Sequence, residues 1–269
     1  MKLFGLFLLI GNLFFSAYGA DNLRSPDMRS RGMGGNEVTQ APLFNPALLA
    51  FRPQKSLHLN YFNRYGLKEL GTFSGSCYLP YPHLAVGVDL SAFGYDAHNE
   101  LMARLSLAKQ LGEHWSLGVA FHYSFLQSEL LEQPQGRIAT DVGILFKPFE
   151  NLLIGLLTTN LPSIIVGDRS LEVADFEVYL AQCGFEWRFQ QNVLLAGALS
   201  VNEQHQPTGS LGVEYAPLND FYLRAGVQTA PLQPTIGVGY RLRRFAVDAA
   251  AIYHRVLGMS VGLGLSFFI

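Results

Sequence analysis

The chain has 269 residues and a formal net charge of −2, with hydrophobic residues at 49% and charged residues at 15%. The near-neutral balance and the lack of a basic run exclude nucleic acid as a partner. A bundle of α-helical spans is excluded too, since no segment after the leader has about 18 consecutive apolar residues. Soluble domains average about 25% charged residues, so the low charge and the positive mean hydropathy ask for another solvent.

The first residues, MKLFGLFLLIGNLFFSAYGA, read as a leader. Lys2 supplies a positive start, Leu3 to Phe15 an apolar run, and Ala17-Tyr18-Gly19-Ala20 a small-residue exit. Residues 1–20 are therefore expected to be a cleaved signal peptide, and the mature chain an exported one. Cys77 and Cys183 fall on strands that are not neighbours, so a disulfide is not expected.

Residues 21–53 carry no strand pattern. Gly32, Gly34 and Gly35 lie close together. Asn45-Pro46 is a turn-favouring pair, and Ala47 and Leu48 follow it. Leu43, Phe44, Leu48, Leu49 and Phe51 form an apolar cluster that a disordered tail seldom carries. The segment is expected to enter the lumen of whatever the rest builds.

Residues 54–269 alternate at period two. In Trp115–Phe125 the odd positions are apolar, while Ser116, Gly118, Ala120, His122 and Ser124 face the other way. Fourteen strands are expected, near 55–62, 69–79, 83–94, 100–110, 114–127, 136–148, 151–160, 174–189, 193–202, 207–216, 220–229, 234–243, 245–254 and 257–269. Connections after even-numbered strands are tight; those after odd-numbered strands are longer on average, with Ser128–Gln135 and Leu161–Val173 the longest. Outer-membrane barrels have short periplasmic turns and longer outer loops. The fold expected is all-β: a transmembrane antiparallel barrel in a bacterial outer membrane, touching its lipids, with both termini periplasmic. One strand breaks its alternation. Phe176, Val178 and Leu180 read as outward, as do Phe185, Trp187 and Phe189, which calls for a bulge near Ala181–Cys183 or a different strand start.

By parity the inward face holds Asp89, Asp141, Glu186, Glu214 and Asp248 against Arg104, Arg137, Lys147, Arg188, Arg224 and Arg241. A one-signed ring would point to ion selectivity; a near-balanced set points to ion pairs that bridge strands or grip a plug. No catalytic residue is expected, for want of a nucleophile–base set. His58, His122 and His254 are scattered, so neither a metal nor a cofactor is expected.

Met33-Gly34-Gly35 followed by Asn45-Pro46-Ala47-Leu48-Leu49 resembles the N-terminal signature of the FadL-type outer-membrane superfamily. That superfamily includes transporters of long-chain fatty acids and aromatic hydrocarbons, and the PorV/PorQ-type proteins of the type IX secretion apparatus. The resemblance implies fourteen strands and an N-terminal hatch in the lumen. Asn45 to Leu49 and the arginine before the glycines are most similar to the PorQ-like branch. Departures are also visible. Glu37-Val38-Thr39-Gln40-Ala41 stands where family members often carry an aspartate pair, the outer loops are short, and Ile269 ends the chain where Phe or Trp is usual. Two functions remain open: a channel for a hydrophobic ligand, or a non-transporting barrel that docks proteins of a secretion or surface-attachment apparatus.

Overall fold

A computed structural model describes residues 22–23, 27–52, 54–81, 83–129, 133–166, 179–202 and 206–269. The expected signal peptide and the strand start expected over 174–178 lie outside the described residues.

The strands are β1 (Ser56–Asn63), β2 (Gly71–Pro80), β3 (Ala85–Tyr95), β4 (His98–Leu111), β5 (Trp115–Ser128), β6 (Gln135–Phe149), β7 (Leu152–Thr159), β8 (Ser163–Val166), β9 (Leu180–Gln190), β10 (Val193–Asn202), β11 (Pro207–Leu218), β12 (Phe221–Gln228), β13 (Gln233–Arg241), β14 (Phe245–His254) and β15 (Gly258–Phe268). Successive strands pair antiparallel, and β1 closes on β15 with Ser56 opposite Phe268. The short β8 is not a stave of its own. It extends β7 along β6, with Ser163–Val166 opposite Ala139–Gly136. The fifteen strands thus form a closed barrel of fourteen staves. Closure pairs each full stave on both sides, which is the condition for a sheet to cross a bilayer, while β8 is paired with β6 alone among the described residues.

Alternation sets the two faces. In β4, Glu100, Met102, Arg104, Ser106 and Ala108 are buried, while Leu101 and Leu105 are exposed. Around the ring the outward positions are large and apolar: Leu59, Leu90, Ile236 and Leu263 are each at least 60% exposed. A continuous belt of that kind is unfavourable in water and favourable in lipid. Tyr81, Trp115, Phe149, Trp187, Phe189 and Tyr240 are exposed close to the ends of the strands joined by the short turns. This is the aromatic girdle that marks a membrane–water boundary.

Two expectations are corrected. No bulge lies near Ala181–Cys183: β9 pairs in register with β7 and β10 from Leu180 to Trp187. Leu180 therefore shares the inward row with Thr159, its partner, and Ala181, Cys183, Phe185 and Trp187 share the outward row. The small size of Ala181 and Cys183 hides that face in the sequence. The irregularity falls instead at the end of β9, where Gln190 and Arg188 oppose Val193 and Leu194 and Phe189 is the extra residue. One connection on the loop side is also shorter than expected: the hairpin between β3 and β4 turns on Asp96-Ala97 alone, as tight as any turn at the opposite end, while the connections on that side stay longer on average. Cys77 on β2 and Cys183 on β9 are both free thiols.

The N-terminal segment contains α1 (Met28–Gly32), α2 (Glu37–Gln40) and a 3-10 helix over Pro46–Phe51. The first contacts β12 to β15, the second β7 and β9, and the third β2 to β6. Only a segment inside the ring touches all these arcs at once.

Candidate functional site: the occupied lumen

Each helical turn of the segment opens on an Asp or Asn cap. The Asp27 carboxylate accepts from Ser30 N (3.0 Å), Asn36 Oδ1 accepts from Val38 N and Thr39 N (3.1 and 3.2 Å), and Asn45 Oδ1 accepts from Ala47 N (3.1 Å). Such caps satisfy amides that the first turn leaves free. Pro46 follows Asn45 at the first helical position, where its missing N–H does no harm. Asn36 Nδ2 then reaches outward, donating to the carbonyls of Phe185 and Gly197 on the wall (3.0 and 3.2 Å), while Asn45 Nδ2 donates within the segment to Val38 O (2.7 Å) and at 3.5 Å to Leu156 O on the wall.

The glycines work in opposed sets. Gly34 and Gly35 both hold φ near +81°, and a Cβ on Gly34 would stand 2.8 Å from the carbonyl oxygens of Leu211 and Val227. A Cβ on Gly32 would stand 2.9 Å from the Cα of Gly237 on β13. The wall answers with its own notches. Gly212 and Gly226 take the backbone of Met33 and Gly34, and Gly118 and Gly143 take Asn45 to Ala47. Gly118, Gly212 and Gly226 are thus explained by a backbone lying against them, and Gly143 by the Asn45 and Pro46 side chains. Thr235 fastens this arc, accepting from Gly34 N (2.9 Å) and donating to Gly32 O (3.2 Å).

Apolar packing fills the middle. Val38, Ala41, Leu43 and Phe44 bury against Leu157, and Ala47 and Leu48 against Leu145, both on the wall. Leu49 packs with Tyr78, Ala85 and Ala108.

The inward charges fall into two groups. In the first, Arg104 Nη1 meets Asp141 Oδ2 at 2.8 Å with both side chains buried, His122 Nε2 lies 3.4 Å from Asp141, and Arg104 donates to Phe44 O at 2.8 Å. Asp141 also accepts from Asn160 N (2.8 Å) at the break between β7 and β8. In the second, Arg224 bridges Glu214 (2.8 Å) and Asp248 (2.6 Å), and Arg29 of α1 reaches Glu214 (3.0 Å) and Glu186 (3.8 Å). One group grips the segment through a carbonyl, the other through a guanidinium. Asp89 is fully buried opposite Arg104 in the ladder, and Arg137 is buried on β6. Arg188 and Arg241 stand exposed at the short-turn end. Among the described residues no group of three or more His, Cys, Asp and Glu converges on a metal position.

Cavities flank the segment. On the side of the longer loops, a space of about 230 Å³ is lined by Gly35, Glu37, Gln182, Ser210 and Gln228. On the short-turn side, one of about 400 Å³ is lined by Arg29, Arg52, Glu214, Arg224 and Asp248 among others. Sequence reasoning passed over Arg29, Asn36 and Thr235. An Asn before Glu-Val-Thr-Gln is a legible helix start, but nothing local marks Arg29 or Thr235.

Fold and lumen define a class: a transmembrane β-barrel whose interior is occupied by its own N-terminal segment. Among solved structures the chain is similar to the Pseudomonas putida toluene transporter TodX (TM-score 0.63, 13% identity, 94% of this chain and 98% of that one). It is similar to the Ralstonia pickettii toluene transporter TbuX (0.63, 13%, 93% and 98%). A Pseudomonas aeruginosa FadL homologue also matches (0.59, 12%, 90% and 98%). No protein-family model matches the chain, and no curated protein does. At these identities the likeness is one of fold, and the fold is that of a FadL-type outer-membrane barrel.

Proposed function

We propose that the chain is an outer-membrane conduit for small hydrophobic molecules, exported by residues 1–20, with residues 21–53 as the hatch that holds it shut. One observation carries this reading: the segment touches arcs all around the ring and separates two lumen cavities. The hatch residues Gly32, Gly34, Gly35, Asn45, Pro46, Ala47 and Leu48 shape its backbone. The lumen charges Arg104, Asp141, Glu186, Glu214, Arg224 and Asp248 hold it or brace the staves beside it. Passage would require these contacts to break, and the hydrophobic class of ligand follows the printed names of the similar transporters.

The packed and ion-paired lumen favours a second reading, a closed barrel that docks proteins of a secretion or surface-attachment apparatus. The short match to the PorQ-like branch at Asn45 to Leu49 supports it.

A tethered hatch separates the two. A Cβ on Gly264 of β15 would lie 3.5 Å from the Met28 Cβ, within the range of about 3.5–4.5 Å that a disulfide needs. Met28→Cys with Gly264→Cys, in a chain with Cys77 and Cys183 changed to Ser, would lock the hatch reversibly. Uptake of a fluorescent fatty acid or of toluene is measured in cells. The conduit reading expects uptake that needs the gene, is lost in the oxidised variant and returns on reduction. Equal uptake with and without the gene rules it out. Constant co-purification with partner proteins in mild detergent would then favour docking.

A further inference from the structure

The cavity of about 400 Å³ on the short-turn side of the segment is more basic than the lumen as a whole. Its wall includes Arg29, Arg52, Arg188, Arg224 and Arg241, against Asp27, Glu214 and Asp248. That is five guanidinium groups against three carboxylates in the wall itself.

Pairing within the wall sharpens the imbalance. Arg29 and Arg224 are spoken for by Glu214, Asp248 and, behind the wall, Glu186. No described carboxylate lies within ion-pair distance of Arg52, Arg188 or Arg241. Arg52 lies over the Tyr78 ring at 5.5 Å and Arg241 over the Phe268 ring at 4.8 Å. Among the described residues the Arg188 guanidinium makes a long contact to Gln191 O at 3.5 Å. Burial pulls the Arg52 guanidinium below its ordinary pKa, opposed by Tyr78 and Asp27 and helped by the like charges of Arg29 and Arg241. His58, Ser266 and Tyr222 add neutral hydrogen-bonding groups to the same wall.

We propose that this cavity binds a phosphate group, held between Arg52 of the N-terminal segment and Arg188 and Arg241 of the barrel wall. Three planar forks offer more donors than one carboxylate accepts. With Glu186 counted, five guanidinium groups face four carboxylates, and the unpaired positive charge suits the oxyanion of a phosphate, which accepts from several forks at once. A bound phosphate bridges segment and wall, so it stabilises the inserted segment by linkage. The site does not depend on whether the barrel conducts.

The test uses the purified full chain in a non-ionic detergent at fixed ionic strength. Inorganic phosphate is titrated calorimetrically in one arm and a short-chain phosphatidylglycerol in the other. Arg188→Gln with Arg241→Gln removes two forks from exposed positions. Lys68→Gln, in the connection between β1 and β2 at the other end, removes a charge remote from the cavity. Folding of each variant is checked by its heat-modifiable migration. Saturable binding is expected, weakened about tenfold per fork removed and unchanged in the Lys68 variant. Saturation by inorganic phosphate assigns a free solute, and saturation by the lipid alone assigns a headgroup. No saturable heat in either arm, or equal affinity in all three folded proteins, overturns the proposal.

Discussion

Arg104 and Asp141 face one another at 2.8 Å with almost no access to solvent. Removing one partner of such a pair leaves a buried charge alone, at a cost of about 3–5 kcal/mol. Arg104→Gln is therefore expected to lower the urea midpoint of the refolded barrel markedly, whereas Lys147→Gln, whose ion pair with Glu150 lies at an exposed turn, is expected to leave it nearly unchanged. The same scale shows what local sequence can and cannot say. Alternation alone placed Asp141, Arg104, Glu214 and Arg224 on the inward face. The pairing of Arg29 with Glu214 spans 185 positions, and no local pattern encodes it. Gly118 and Gly143 read only as small inward residues until the Pro46-Ala47 backbone on the first and the Asn45 and Pro46 side chains on the second are seen.

At the scale of elements, the helices of the N-terminal segment are too short to stand alone, since isolated helices below about 12–15 residues are marginal in water. Their order comes from caps and from the wall. Asn36 serves both, so Asn36→Ala loses a cap of about 1 kcal/mol and two amide donations to the wall. Gly226→Val is the harsher change, because a side chain there meets the backbone of Met33 and Gly34. That variant is expected to close its barrel yet release the segment. Limited trypsin digestion in detergent checks this: cleavage after Arg29 and Arg31 should appear in Gly226→Val and be slow in the unchanged chain. Equal protection in both would deny that this notch seats the segment. The glycine pairs and Asn45-Pro46 were legible as sites of unusual backbone. Asn36 was legible as a helix start, though its reach to Phe185 and Gly197 was not.

At the scale of the whole molecule, the period-two pattern and the available chain length were enough for fourteen staves and their closure. Each stave buries its small residues and presents its large ones, so the pattern repeats without needing long-range information. What escaped was the stagger between neighbours. The bulge at Phe189, the continuation of β7 into β8 and the tight Asp96-Ala97 turn all depend on which residue opposes which, and a single strand does not carry that. Whether the lumen is open likewise depends on three-dimensional fit. Apolar side chains of the segment fill the middle of the ring, ion-paired groups hold its flanks, and a cavity lies on either side.

Conductance across a planar bilayer tests the central claim that this segment closes the barrel. The full chain is compared with a variant lacking residues 27–51, both judged folded by heat-modifiable migration. A closed full-length chain and a steady, much larger conductance in the deletion are expected; a folded deletion variant that conducts no better than the full chain would contradict it.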